Sequence, residues 1–280
     1  MAERLFQAGI WCAALLVLMV LFWLVQGLLD QGLAKLSVDF LFSQPQNAGR
    51  DGGISSILVA TLLILAVTLL VALPLGLASA VWLAEFTATH NFWARKVRLA
   101  LDVMAGVPSI VFGLFGYAFF SLFLGMGFSI LSGGLTLACM ILPVFIRTCE
   151  IGLRSVNNSW RQGAAALGMP KIKAVWFILL PAALPAISAG LILGIGRATA
   201  ETAALMFTSG YVDRMPGSVM DSGRALSVHI YDLSMNVTGG DAAAQASALI
   251  LLMIIMVLNM LAYAITDLWL GRRVLNGFAN

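Results

Sequence analysis

The chain is short of charge: Asp, Glu, Lys and Arg make up only 10% of its 280 residues, against 61% hydrophobic. An ordinary soluble domain is not built from such a mixture. Cysteine is scarce and odd in number, and Cys12, Cys139 and Cys149 lie in or beside apolar runs. They have neither metal-ligand spacing nor a plausible disulfide framework, so they read as small packing residues. The two histidines, His90 and His229, fall in polar loops with no ligand partner at a recognisable spacing. No phosphate-cradling loop of the GxxxxGK[ST] type occurs, so ATP hydrolysis is excluded from this chain. Internal repeats and low-complexity tracts are also missing.

Long apolar runs are abundant instead. A bilayer core of about 30 Å needs about 20 mostly apolar residues per helix. Stretches at 8–29, 54–84, 99–124, 131–150, 174–208 and 244–270 meet that demand, which predicts an all-α polytopic membrane protein of six spans. The second and fifth are long enough to tilt or break. Arg4 precedes the first run, but no small-residue cleavage site follows it, so a retained anchor is expected. The organisation read from these runs is an N-terminal span and external loop at 1–53, a core at 54–271 and a cytoplasmic tail at 272–280.

Charge placement sets the expected orientation. With a cytoplasmic N-terminus, the inner segments hold Arg4, Arg95, Lys96, Arg98, Arg147, Arg154, Arg161, Lys171, Lys173, Arg272 and Arg273. The outer loops keep only Lys35, Arg50, Arg214 and Arg224, beside seven aspartates. Both termini are therefore expected in the cytoplasm. The net charge of +3 reflects this bias and gives no reason to expect nucleic acid. The longest outer stretch, 209–243, is expected to re-enter or lie on the membrane face.

Proline and glycine punctuate the runs. Pro74, Pro108, Pro143, Pro181 and Pro185 interrupt spans, and Gly190, Gly194 and Gly196 add close approach or unwinding in the fifth. Such breaks survive in a membrane where neighbours or cavities satisfy the freed backbone.

Between the fourth and fifth runs lies a basic inner segment. Asn157, Asn158 and Ser159 offer capping oxygens, helix formers follow from Gln162 to Leu167, and Gly168 with Pro170 ends the helix. A helix of two to three turns does not stand alone in water. It rests either on lipid headgroups or in a groove of a cytoplasmic partner.

This segment, QGAAALGMPKIKAVWFILLP from Gln162, resembles the EAA loop of bacterial ABC importer permeases: Glu-Ala-Ala, three residues, Gly, nine residues, Ile, one residue, Leu-Pro. Gly168, Ile178, Leu180 and Pro181 match, whereas Gln162-Gly163-Ala164 replaces the opening triplet and turns its acid into an amide. The resemblance implies a type I, MetI-like permease fold and a coupling helix at about 157–168 that contacts an ATPase. Coupling would then rest on helix shape and glycine placement more than on an acid.

Two charged pairs lie within or beside spans. Arg197 and Glu201, four apart in GRATAETAALMFTSG, would share a helical face. A charge near the bilayer centre costs roughly 2.5–3.5 kcal/mol even on the lenient scale. The pair is thus either a self-contained ion pair or an arginine for an oxyanion in transit, moderated by the acid. Arg147 and Glu150, three apart in LPVFIRTCEIGLRSV, are either a juxtamembrane ion pair or part of the same path. Arg154 reads as a topological charge.

These two runs, with DVMAGVPSIVFGLFGYAFF, closely resemble the permeases of phosphate ABC importers, and ALSVHIYDL resembles their PstA branch. That resemblance covers about 54–271. It implies a PstC-like second permease, a dimeric PstB-like ATPase that carries ATP and Mg, and a periplasmic PstS-like phosphate-binding protein. This chain would bind no cofactor, and it would move its substrate without changing it. The family's membrane arginine and acid fall on Arg197 and Glu201, and its inner arginine on Arg147. A permease for molybdate, sulfate or a phosphonate is the near alternative, and an ATP-independent channel or secondary transporter the distant one.

Overall fold

The computed structural model describes residues 2–88 and 91–277; His90, the end of the expected tail and the side chains of Arg272 and Arg273 lie outside the described residues. The chain is helical almost throughout. Helix α1 is Ala2–Lys35, and a short α2 (Val38–Phe42) leads into a hairpin of β1 (Pro45–Gln46) and β2 (Asp51–Gly52). Next come α3 (Ser55–Val81), α4 (Phe92–Ala105), α5 (Ser109–Gly116) and α6 (Ile130–Ser155). After α7 (Asn158–Ala166) follow α8 (Lys171–Ala174), α9 (Leu180–Ala182), α10 (Leu184–Ala200), α11 (Ala203–Thr208), α12 (Leu226–Met235) and α13 (Asp241–Gly277).

Four helices among the described residues are long and apolar enough to cross a membrane: Gly9–Lys35, Ser55–Phe86, Ile130–Ser155 and Asp241–Ala264. Two bent pairs bring the number to six. The expected single helix over 99–124 is instead α4 and α5, bent by 103°. Pro108 is the cause, because its ring disfavours helical backbone at Val107. Asn91 caps α4, which begins at Phe92, seven residues earlier than expected, and its side chain accepts hydrogen bonds from the Trp93 and Ala94 amides.

The expected helix over 174–208 is also divided. It bends by 68° between α9 and α10 and stops again after Ala200. Ahead of Pro181, the backbone widens into a π-helical turn at Val175–Leu179. Proline lacks the amide and crowds the carbonyl four residues earlier, and a π turn absorbs both defects. A second π turn, Trp82–Phe86, closes α3.

Helices α3 and α6 form the centre, with α10 packed against α6 and α13, and α11 against α5. Small residues let the backbones approach: a Cβ at Gly134 would lie 2.5 Å from Val67 Cγ1, and one at Gly116 would lie 2.1 Å from Thr136 Oγ1. The buried Thr68 Oγ1 of α3 donates to the Ile64 carbonyl at 2.8 Å. Helix α1 packs along α13, and its apolar surface is otherwise open.

Candidate translocation and coupling site

At the basic end of the molecule, α7 is built as its punctuation predicts. The Asn157 side chain accepts from the Ser159 amide at 3.0 Å. At the other end Gly168 takes φ +68, its amide donating to the Ala165 carbonyl at 2.9 Å and the Met169 amide to that of Ala164 at 3.0 Å. This crossed pair is a Schellman stop, which needs a left-handed residue and so favours glycine. Ala164 is buried, while Gln162, Gly163 and Gly168 face outward and Leu167 is 82% exposed. Leu180 and Pro181 are buried and Ile178 is half-buried, so they anchor the segment while the helix presents its other side.

Two acids, buried at this end, organise the cations around them. Glu150, 1% exposed, receives Arg98 Nε at 2.6 Å, Arg147 Nη1 at 2.7 Å and Arg154 Nε at 3.0 Å. Arg147 also reaches Asp102 of α4 at 2.8 Å. The sequence pairs Arg147 with Glu150, as found here, but misses Arg98 and takes Arg154 for a topological charge. Both missed arginines also donate to the Leu83 carbonyl, at 3.0 and 2.9 Å. Glu85, passed over in the sequence, holds Arg161 of α7 at 2.6 Å. A single acid at the end of a long apolar run was the available signal.

Within the bundle the expected Arg197–Glu201 pair does not form. Helix α10 ends at Ala200 and Glu201 is extended, with φ −73 and ψ 126, so the four-residue spacing no longer describes one face. Its carboxylate turns forward and accepts from the Ala204 amide at 3.2 Å. Its carbonyl accepts from the Ser227 hydroxyl of α12 at 2.6 Å. Arg197 stays half-buried in the last turn of α10 and has no hydrogen bond or ion pair among the described residues. The negative end of α10 favours its charge there. The bundle thus contains a broken helix and, beside the break, a guanidinium without a partner among the described residues.

At the far end lies the stretch expected to re-enter or to lie on the membrane face. Residues 223–229 are buried, and the Leu226 amide donates to Thr61 Oγ1 of α3 at 2.9 Å. His229, expected in a loop, lies on α12 and is fully buried. Burial, with Arg224 beside it, pushes its pKa down to about 4. Arg224 is held by Asp232 at 3.1 Å and by the Tyr211 carbonyl at 2.8 Å.

The family model described as "Binding-protein-dependent transport system inner membrane component" matches residues 72–275. The chain belongs to that family: it is a membrane-embedded permease subunit of an ABC importer, and the ATPase is a separate subunit. An ATP-independent channel or secondary transporter is thereby excluded. The chain is 30% identical to "Probable ABC transporter permease protein YqgI" of Bacillus subtilis (strain 168), over 94% of this chain and 92% of that one. It is 34% identical to "Phosphate transport system permease protein PstA 1" of Mycobacterium tuberculosis (strain CDC 1551 / Oshkosh), over 79% and 73% of the two chains. A chain of the inward-facing MetNI methionine ABC transporter superposes with a TM-score of 0.58 at 16% identity, covering 76% of this chain and 96% of that one. The architecture is accordingly the MetI-like permease fold.

Proposed function

We propose that this chain is the PstA-type permease of a phosphate importer. One observation carries the cargo: the guanidinium of Arg197 lies half-buried at a helix break and has no hydrogen bond or ion pair among the described residues. Its planar fork suits the oxygens of phosphate, and broken helices are where transporters bind substrate. The likeness to a PstA protein at 34% identity supports the same choice.

In this reading a PstS-like binding protein delivers phosphate from the periplasm, and this chain forms the path with a PstC-like permease. A dimeric PstB-like ATPase, holding ATP and Mg, docks against the outward side of α7 through Gln162, Gly163 and the turn at Gly168. The basic end is cytoplasmic, and both termini lie on that side of the bacterial inner membrane. Glu201, across the break from Arg197, keeps the attraction for the anion moderate so that it can leave. Arg147 and Glu150 already satisfy each other and their neighbours, so they frame the inner end of the path without holding cargo.

A permease for another oxyanion is the second reading. Any oxyanion suits a guanidinium, and the Bacillus relative's name states no cargo. The test is uptake of radiolabelled phosphate by the complete transporter in proteoliposomes, with phosphate, sulfate and molybdate as competitors. Phosphate should compete best, and Arg197→Gln should lower uptake by about 100-fold in a normally assembled complex. Stronger competition by sulfate or molybdate would assign the cargo to the second reading. Wild-type uptake by the variant would remove Arg197 from the path.

A further inference from the structure

We infer that Glu85 is a positioning residue for energy coupling: it ties α7 to the ends of α3 and α6, so that a push on α7 moves both spans together. The inference rests on the reading of α7 as the ATPase contact. Glu85 lies in the π turn that closes α3, and its side chain is 4% exposed. Both carboxylate oxygens face Arg161, with Nη2 at 2.6 Å from Oε1 and Nε at 3.1 and 3.2 Å from the two oxygens. The rest of that guanidinium is used at the end of α6, where Nη2 and Nη1 donate to the Leu153 and Val156 carbonyls, each at 2.7 Å. The ammonium of Lys171, at the start of α8, donates to the Glu85 carbonyl. The Glu85 carboxylate thus fixes Arg161 of α7, Arg161 in turn holds the end of α6, and the Glu85 main-chain carbonyl holds the start of α8.

This arrangement is suited to transmission. A charge-assisted fork has little angular freedom, and a buried carboxylate does not leave its cation for water at low cost. The outward side of α7 is free, with nothing within 4 Å of a Cβ built at Gly163 or Gly168. Force applied there has a rigid inner support. Since α3 and α6 both pack against α10, the same movement reaches the helix that carries Arg197.

The test uses the complete transporter, with its ATPase and binding protein, in proteoliposomes. Phosphate imported per ATP hydrolysed is the readout, because a merely structural defect lowers both activities without changing their ratio. Glu85→Gln should lower the ratio at least ten-fold and abolish stimulation of the ATPase by loaded binding protein. Glu85→Asp, which keeps the charge, should recover much of it. An unchanged ratio in Glu85→Gln overturns the inference. Should that variant fail to assemble, Arg161→Lys decides: it keeps the charge but loses the fork, and a normal ratio there is equally fatal. Leu167→Asp on the outward side separates the two levels. If it uncouples and Glu85→Gln does not, only the link fails; if neither uncouples, α7 is not the motor contact.

Discussion

Glu150 and Arg197 lie on two packed helices, α6 and α10, and their surroundings are opposite. Glu150 has three guanidinia around it within 3.0 Å. Arg197 has no partner among the described residues and only a helix end to favour its charge. An ion in an apolar setting is costly unless it is paired, and removing one partner of a pair costs more than the pair contributes. A saturated charge therefore holds helices together. An unsaturated one keeps the capacity to bind something that is not protein.

Changing the saturated acid should have the largest effect. Glu150→Gln leaves Arg98, Arg147 and Arg154 without their shared anion, and the expected cost is about 3–5 kcal/mol, read as a lower melting temperature and loss of assembled complex. If the variant assembles normally, the contrast with Arg197 weakens. Arg197→Gln should leave melting and assembly unchanged while phosphate uptake falls by about 100-fold, the loss of one charge-assisted contact.

His229 is the third case, a buried group kept neutral. Its folded pKa of about 4 is below the ordinary 6.5, so the unfolded chain binds the proton first as pH falls. Its contribution is complete above pH 6.5 and is lost as pH falls toward 4, reaching about 2 kcal/mol by pH 4.5. Melting temperatures taken at pH 7.5 and 4.5 should show the drop, and His229→Gln should flatten it. Glu201→Gln should have the smallest effect. Its amide oxygen can still accept from the Ala204 amide, so the fold should hold and uptake should change less than about ten-fold. A collapse of uptake with an intact fold would make Glu201 a direct ligand.

Helix α7 was legible because local rules govern it. Asn157 caps it, Gly168 supplies the left-handed turn and Pro170 prevents continuation, all within fourteen residues of chain. The apolar runs were legible for the same reason, because backbone in a bilayer must satisfy itself within the helix. The breaks were legible only where proline marks them. Pro108 and Pro185 stand at the two bends, although the size of the 103° turn could not be read from them. At Glu201 no proline or glycine interrupts the run. The helix stops where Ser227, twenty-six residues on, takes the Glu201 carbonyl, so the expected Arg197–Glu201 face dissolves through a contact that no local pattern contains.

The sequence by itself determined which stretches are apolar enough for a membrane, where α7 starts and stops, and which charges had to be accounted for. Those are matters of short-range backbone geometry and of transfer from water. The tertiary structure alone decided the pairings between distant parts of the chain. Glu85 meets Arg161 across 76 positions and Glu150 meets Arg98 across 52, while Arg197 meets no partner among the described residues. Pairing depends on which helix ends converge, and convergence is set by packing over the whole bundle.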